Sequence, residues 1–269
     1  MASPFTKSDL LELGRKLIAD GPVKTLRTPK RIRILFNGTY VADTTSALYV
    51  WEHPFYPYYY VPLSSFVRGV LHDNRDEGPL SIMGLHVGGR STDRVLAFSD
   101  QGGGHVPEEL RGMVRVEFAA ADAWFEEDER IYVHPKDPFR RVDIVHSARP
   151  VRVLVDGVQV ARSSSSLHLY ETGLPVRYYL PPTSVDRSVL RDSQTTTQCP
   201  YKGVAEYYDI VLGKDGARGE EKAHKDLVWY YRNPTHESAQ VAGALCFYNE
   251  KVDIELDGHM LERPKTHFA

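Results

Sequence analysis

The stretch RVLVDGVQVARSSSSLHLYETGLPVRYYLPPTSV, residues 152–185, has a near-copy in RILFNGTYVADTTSALYVWEHPFYPYYYVPLSSF, residues 33–66. The two align without a gap. Arg33 falls on Arg152, an offset of 119 residues, and Gly38 on Gly157, Glu52 on Glu171 and Tyr59-Tyr60 on Tyr178-Tyr179 keep it. A self-match of this length marks an internal duplication, so the fold is read as one unit used twice.

Each copy opens with β-formers on either side of a turn dipeptide, Asn37-Gly38 and Asp156-Gly157. This is the strongest short-range hairpin signal in a sequence. A third run closes on Glu52 or Glu171, and a fourth is stopped by Pro62 or by Pro181-Pro182, which predicts a four-stranded meander in each copy. Short helices are expected next, at Phe66–Leu71 and Val185–Arg191, with Ser64, Ser65 or Ser184 as caps. Residues 72–110 are rich in Gly and charge and are expected to hold a flexible loop at Gly102-Gly103-Gly104. Arg111-Gly112 and Lys202-Gly203 are taken to bring the copies back into line. Arg130–Val133 and Val142–Ser147 are expected to close the first copy. Leu227–Arg232, Ala244–Tyr248 and Val252–Leu256 are expected to close the second. Short strands at close turn spacing predict an all-β protein of two tandem domains, small folded sheets or barrels, preceded by a helix. The expected division is a helical arm over 1–30, capped at Ser8 and ended by Gly21-Pro22, then domains over 31–149 and 150–269.

With 269 residues each half can bury its own core. A formal net charge of −3 and no basic run argue against nucleic acid as a partner. No apolar run reaches the length of a membrane span, and no signal-peptide core is seen at the N-terminus, so a soluble cytoplasmic protein is expected. Asn37-Gly38-Thr39 matches a glycosylation pattern but reads better as a turn. Two cysteines, Cys199 and Cys246, make neither a disulfide framework nor a zinc site. Neither a metal nor a nucleotide cofactor is expected.

Taken in order, WFEEDERIYVHPKDPFRRVDIVHSARPVRVLVDG (124–157), YETGLPVRYYLP (170–181), CPYKGVAEYY (199–208) and WYYRNP (229–234) resemble the family called domain of unknown function 427 (DUF427), in tandem form. The resemblance runs from about Arg31 to Gly258. It implies a β-tent-like fold, similar in topology to methionine sulfoxide reductase B and to the thalidomide-binding domain of cereblon. Those relatives carry a four-cysteine zinc site that this chain lacks, so neither the metal nor the activity carries over.

The chemistry-bearing residues fall mostly in the second copy. Glu171 ends a strand before a Gly turn, where a carboxylate can act as a general acid or base or can tie the turn down. Cys199-Pro200-Tyr201-Lys202-Gly203 lacks a full counterpart in the first copy. Lys202 there either activates Cys199 as a nucleophile or pairs with Glu171 as an acid–base couple; the bland alternative is a structural turn. Tyr178 is the fourth catalytic candidate. Arg177, Tyr179, Tyr207, Trp229 and Tyr231, with Glu52 and Tyr59 from the first copy, are candidate ligand contacts. Tyr208 and Tyr230 are further wall residues, and all the tyrosines are equally readable as core. One of Tyr178 and Tyr179 must face each side of its strand. The acidic run Glu126–Glu129, near His134, reads as a solvated edge or as a partner of Arg140-Arg141 rather than as a metal site. His53, His105 and His168 show no ligand spacing, and Cys246 reads as core. The expected function is a small-molecule pocket in the second domain or the inter-domain cleft, running lyase, isomerase or hydrolase chemistry. The alternative is a non-catalytic aromatic cage for a metabolite or peptide.

Overall fold

A computed structural model describes residues 10–100, 106–213 and 222–266, with the backbone alone for 73–77. Ser8, Gly102-Gly103-Gly104 and His105 lie outside the described residues. The chain divides into two units, Met1–Asp137 and Pro138–Ala269.

The first unit holds one helix, α1 (Leu10–Asp20), and strands β1 (Lys24–Arg27), β2 (Ile32–Phe36), β3 (Thr39–Thr44), β4 (Leu48–Trp51), β5 (Tyr58–Pro62), β6 (Leu71–Glu77), β7 (Leu80–Val87), β8 (Arg90–Phe98), β9 (Met113–Val116), β10 (Ala123–Glu126) and β11 (Glu129–Ile131). They form a large sheet, β1-β4-β5-β9-β8-β7-β6, and a small one, β11-β10-β2-β3. The second unit contains β12 (Val142–Ser147), β13 (Val151–Val155), β14 (Val158–Ser163), β15 (Ser166–Glu171), β16 (Arg177–Leu180), β17 (Leu190–Cys199), β18 (Gly203–Leu212), β19 (Lys222–Pro234), β20 (Leu245–Phe247), β21 (Asp253–Leu256) and β22 (His259–Met260). Its sheets, β12-β15-β16-β20-β19-β18-β17 and β14-β13-β21-β22, repeat the first unit's order strand for strand. The protein is all-β, with two similar halves and one short N-terminal helix. Neither large sheet closes into a barrel.

The hairpin dipeptides explain the start of each repeat. Asn37 and Asp156 have φ of 47° and 51°, and the glycines after them 71° and 80°. This is the double left-handed turn whose twist matches that of paired strands. Alternation along β2 and β13 then points every second residue into the space between the sheets. There Ile32, Ile34 and Phe36 pack with Tyr59, Val61 and Val114, and Val151, Val153 and Val155 pack with Tyr178, Leu180 and Phe247.

Several sequence expectations are corrected here. Val142–Ser147, read as closing the first half, pairs with β15 and is an edge of the second unit's large sheet. The unit boundary accordingly falls at Asp137/Pro138. Lys24–Arg27, inside the expected helical arm, is likewise an edge strand, paired with β4. No helix forms at 66–71, and 185–191 holds only a single 3-10 turn, Arg187–Val189, capped by Asp186 rather than Ser184. Single turns at Leu63–Ser65 and Pro182–Ser184 are followed by extended residues, because Phe66 and Val185 bridge to Ala42 and Ala161. Much of the Gly- and charge-rich stretch 72–110, to which the sequence reading assigns no strand, is three strands, β6 to β8, whose turns are made by Gly78-Pro79 and Gly88-Gly89.

The realignment of the copies is also different. Gly112 and Gly243 are equivalent, each with its N–H bonded to the carbonyl of an equivalent residue of the preceding long strand, Phe98 or Tyr231. Lys202-Gly203 instead belongs to the β17–β18 turn. In the first unit Glu77 pairs with Leu80, leaving two residues at that turn. In the second, the ladder runs on past Thr197 and Ala205 to Cys199 paired with Gly203, leaving three. The segment carrying Cys199 and Lys202 is an extension of one hairpin tip.

Candidate functional site

Each large sheet has an inner face toward its small sheet and an outer face. On the outer face of the second unit one row of paired residues crosses five strands: Leu167, Tyr179, Cys246, Trp229 and Tyr207. The equivalent row in the first unit is Leu48, Tyr60, Arg115, Leu96 and Ile82. One row further along, Leu80 opposite Phe98 becomes Ala205 opposite Tyr231.

The first unit's row is covered by α1. Leu10, Leu11 and Leu17 join Leu48, Leu80, Leu96 and Phe98 in one buried cluster. Gly14 sets the approach, since a Cβ there would meet Leu80 Cδ1 at 2.8 Å and Leu96 Cδ2 at 3.3 Å. The second unit's row lies in a cluster with Leu169, Ala205, Tyr231, Val241 and Ala244 instead. An aliphatic floor under a helix has become an aromatic floor under loops.

The extended tip places a charge on this floor. Lys202 Nζ forms an ion pair with Glu171 Oε2, and the two side chains are only 11 % and 8 % exposed. The pair therefore ties the β17–β18 turn to the end of β15, four strands away in sheet order. The turn is held from behind as well. Thr235 N and Lys202 O bond at 3.2 Å, and Ser238 Oγ donates to Tyr201 O at 3.0 Å. Gly203 needs its φ of 99°, and a Cβ there would lie 3.3 Å from Asn233 O. Burial alone would push the Lys202 ammonium down, but Cys199 and Glu171 beside it outweigh burial and hold it above the usual lysine value.

A second ion pair flanks the first. Arg177 grips Glu250 with two bonds of 2.7 Å, Nη1 also reaching Asn249 Oδ1 at 3.3 Å, while its guanidinium lies 5.4 Å from the Trp229 ring centre. Trp229 Nε1 donates to Tyr179 Oη at 3.1 Å, and its ring meets Tyr248 at 4.6 Å. Tyr207 Oη lies 2.7 Å from Thr197 Oγ1 and 3.5 Å from Tyr248 Oη. Burial holds the Tyr179 and Tyr231 phenols well above their ordinary value, so both keep their protons at neutral pH. Burial also pushes the Cys246 thiol up to about 12, which makes it unreactive. Cys199 is half-buried on the tip, and both cysteines are free thiols.

The structure thus brings together Glu171, Arg177, Tyr179, Cys199, Lys202, Tyr207, Trp229 and Tyr231. It does not bring Tyr178, which lies in the inter-sheet core with its ring 4.8 Å from His168. Strand alternation also sends Tyr208 and Tyr230 to the inner side, where they stack at 5.1 Å. Glu52 and Tyr59 belong to the first unit, on opposite faces. Glu52 takes Arg115 Nε at 2.6 Å and the Tyr60 hydroxyl at 3.0 Å. In the core the Tyr59 hydroxyl donates to Glu126 Oε1 at 2.9 Å and accepts from the Tyr49 hydroxyl at 2.8 Å. Sequence reading missed Glu250, Asn249, Tyr248 and Thr197, which lie outside the aligned motif and have no spacing that marks them. In the acidic run Glu126 pairs with Lys30 and Asp128 with Arg33, and Glu127 Oε1 accepts from Arg31 N. Among the described residues, no group of His, Cys, Asp and Glu is arranged to hold a metal ion.

These features define a tandem all-β protein whose two copies differ most on one sheet face. The family described as a domain of unknown function (DUF427) matches residues 24–80 and 143–258, and the chain belongs to it. No curated protein matches the chain. Among the described residues no helix is long and apolar enough to cross a membrane.

Proposed function

We propose that the second unit binds a small organic molecule on its outer sheet face and acts on it by acid–base chemistry without metal or nucleotide. One comparison carries this reading. The first unit packs the same face with leucines and a helix beside its own Glu52–Arg115 pair, whereas the second gives it aromatic rings, hydroxyls and an ion pair whose cation comes from the extended hairpin tip. Local departures from good packing are expected where a site is. The family match adds support, for it runs through the tip and aromatic row in the second half and stops at residue 80 in the first.

In this reading Lys202, its proton held by its neighbours, is the acid that stabilises or protonates a developing oxyanion. Glu171 is the matching base, released as Lys202 turns to the substrate. Cys199 adjoins the pair as a nucleophile for a hydrolase-type step. Lyase and isomerase chemistry need only the Glu171–Lys202 couple. An aromatic cage for a cation fits less well, because the Trp229 ring already carries Arg177. Two unpaired cysteines suit a reducing compartment, and we place the protein in the cytoplasm.

The test is a metabolite pull-down on the purified protein followed by turnover assays with Glu171→Gln and Lys202→Ala. The acid–base role predicts losses of about 100-fold or more in kcat for each. Full activity in folded variants sinks it.

A further inference from the structure

We infer, on the basis of the site reading above, that residues 261–266 form a releasable strap that regulates the site. Attached, the strap holds Glu250 against Arg177; released, it lets that pair loosen and weakens ligand binding. Thr266 is the positioning residue at its end.

The strap follows β22 and lies along residues 250–254. Leu261 N donates to Ile254 O at 2.8 Å, Arg263 Nε to Asp253 Oδ1 at 2.8 Å and Thr266 Oγ1 to Glu250 Oε1 at 2.8 Å. The last contact falls on the carboxylate that Arg177 grips, and the Arg177 guanidinium in turn faces the Trp229 ring of the floor. Glu250 Oε1 thus takes one donor from the sheet, Arg177 Nη2, and one from the strap. With the Glu250 side chain 5 % exposed, a lost donor is not readily replaced by water.

The first unit shows a strap that is locked in place. Its residues 132–137 follow β11 as 261–266 follow β22. His134 stacks on Tyr56 at 3.9 Å and Asp137 Oδ2 accepts from Trp51 Nε1 at 3.1 Å, and both His134 and Asp137 are buried. Tyr56 stands two residues before Tyr58, the counterpart of Arg177 in the aligned repeat. In the second unit Leu261 anchors the base of the strap against the core. Beyond it the Arg263 and Asp253 side chains are 46 % and 37 % exposed, so their ion pair adds little. A segment fixed at its base and held further on by half-exposed polar contacts opens at low cost, as switching elements do.

The test uses Thr266→Val and Thr266→Ser in the full chain. Thr266→Val is expected to raise the Glu250 titration midpoint in carboxyl NMR and to speed tryptic cleavage after Lys265 about tenfold. It is also expected to weaken compounds found in a binding screen about tenfold, the effect of losing one hydrogen bond to a charged group. Thr266→Ser keeps the hydroxyl and is expected to match wild type in all three measurements. An unmoved Glu250 midpoint or an unchanged cleavage rate in Thr266→Val overturns the inference. Compounds that bind Thr266→Val as tightly as wild type also overturn it, while leaving the site reading intact. A wild type that binds none of the screened compounds fails the site reading, and the regulation with it.

Discussion

Arg115 and Cys246 stand at the same point of the two large sheets, each directly paired with the second tyrosine of its motif, Tyr60 or Tyr179. The first unit supplies the cation for its glutamate from within the sheet. In the second that position is a thiol, and the cation arrives from the hairpin tip as Lys202. A guanidinium fixed by a strand is a permanent partner, while an ammonium on a flexible stem at a turn can exchange partners.

Breaking either buried pair is expected to be costly. Glu52→Gln leaves Arg115 with its side chain 8 % exposed and its main partner neutral, and Glu171→Gln does the same to Lys202. Each is expected to lower stability by about 3–5 kcal/mol in urea unfolding. The double variants Glu52→Leu/Arg115→Met and Glu171→Leu/Lys202→Met remove both charges and are expected to lose less than the single glutamine variants.

Lys202 also sets an alkaline limit. Its folded pKa is raised above the reference 10.5. The stabilisation it contributes is therefore fully present below about that pH and is lost as pH rises through the higher folded value. Stability of wild type is expected to fall above pH 10.5 more steeply than that of Glu171→Leu/Lys202→Met, as read from melting temperatures in a pH series.

Glu250 sets an acid limit of opposite sign. Burial would raise its pKa, but the Arg177 fork outweighs burial and holds it below the reference 4.5. Its contribution is present above 4.5 and is lost as pH falls through the lower folded value. Carboxyl NMR is expected to find Glu250 titrating below 4.5 in wild type and higher in Arg177→Met.

The helix cover of the first unit is close-packed at Gly14. Gly14→Val adds a branched side chain where even a Cβ lies 2.8 Å from Leu80. A loss of about 1–3 kcal/mol is expected in urea unfolding. No loss would mean that α1 does not seat on β7 and β8 as described.

The part of the fold that was legible in the sequence is the part that both copies share. Asn37-Gly38, Asp156-Gly157 and the prolines after Tyr59-Tyr60 and Tyr178-Tyr179 act locally, so the meanders could be read residue by residue. The long strands β7 and β8 were hidden because exposed polar residues interrupt their apolar pattern. The site was half legible. Glu171 and Lys202 were both singled out, and the structure joins them. Tyr178 and Tyr230 could not be separated from Tyr179 and Tyr231 because adjacent residues on a strand share composition but not a face. The partners Glu250 and Asn249 come together with Arg177 only through strand pairing, about 73 residues away in sequence.

The most direct measurement is a small-molecule thermal-shift screen run in parallel on wild type, Glu171→Leu/Lys202→Met and Glu52→Leu/Arg115→Met. Compounds that stabilise wild type are expected to lose their effect on Glu171→Leu/Lys202→Met and to keep it on Glu52→Leu/Arg115→Met, because the proposed site lies on the second unit. Compounds that stabilise Glu171→Leu/Lys202→Met as strongly as wild type would contradict the account.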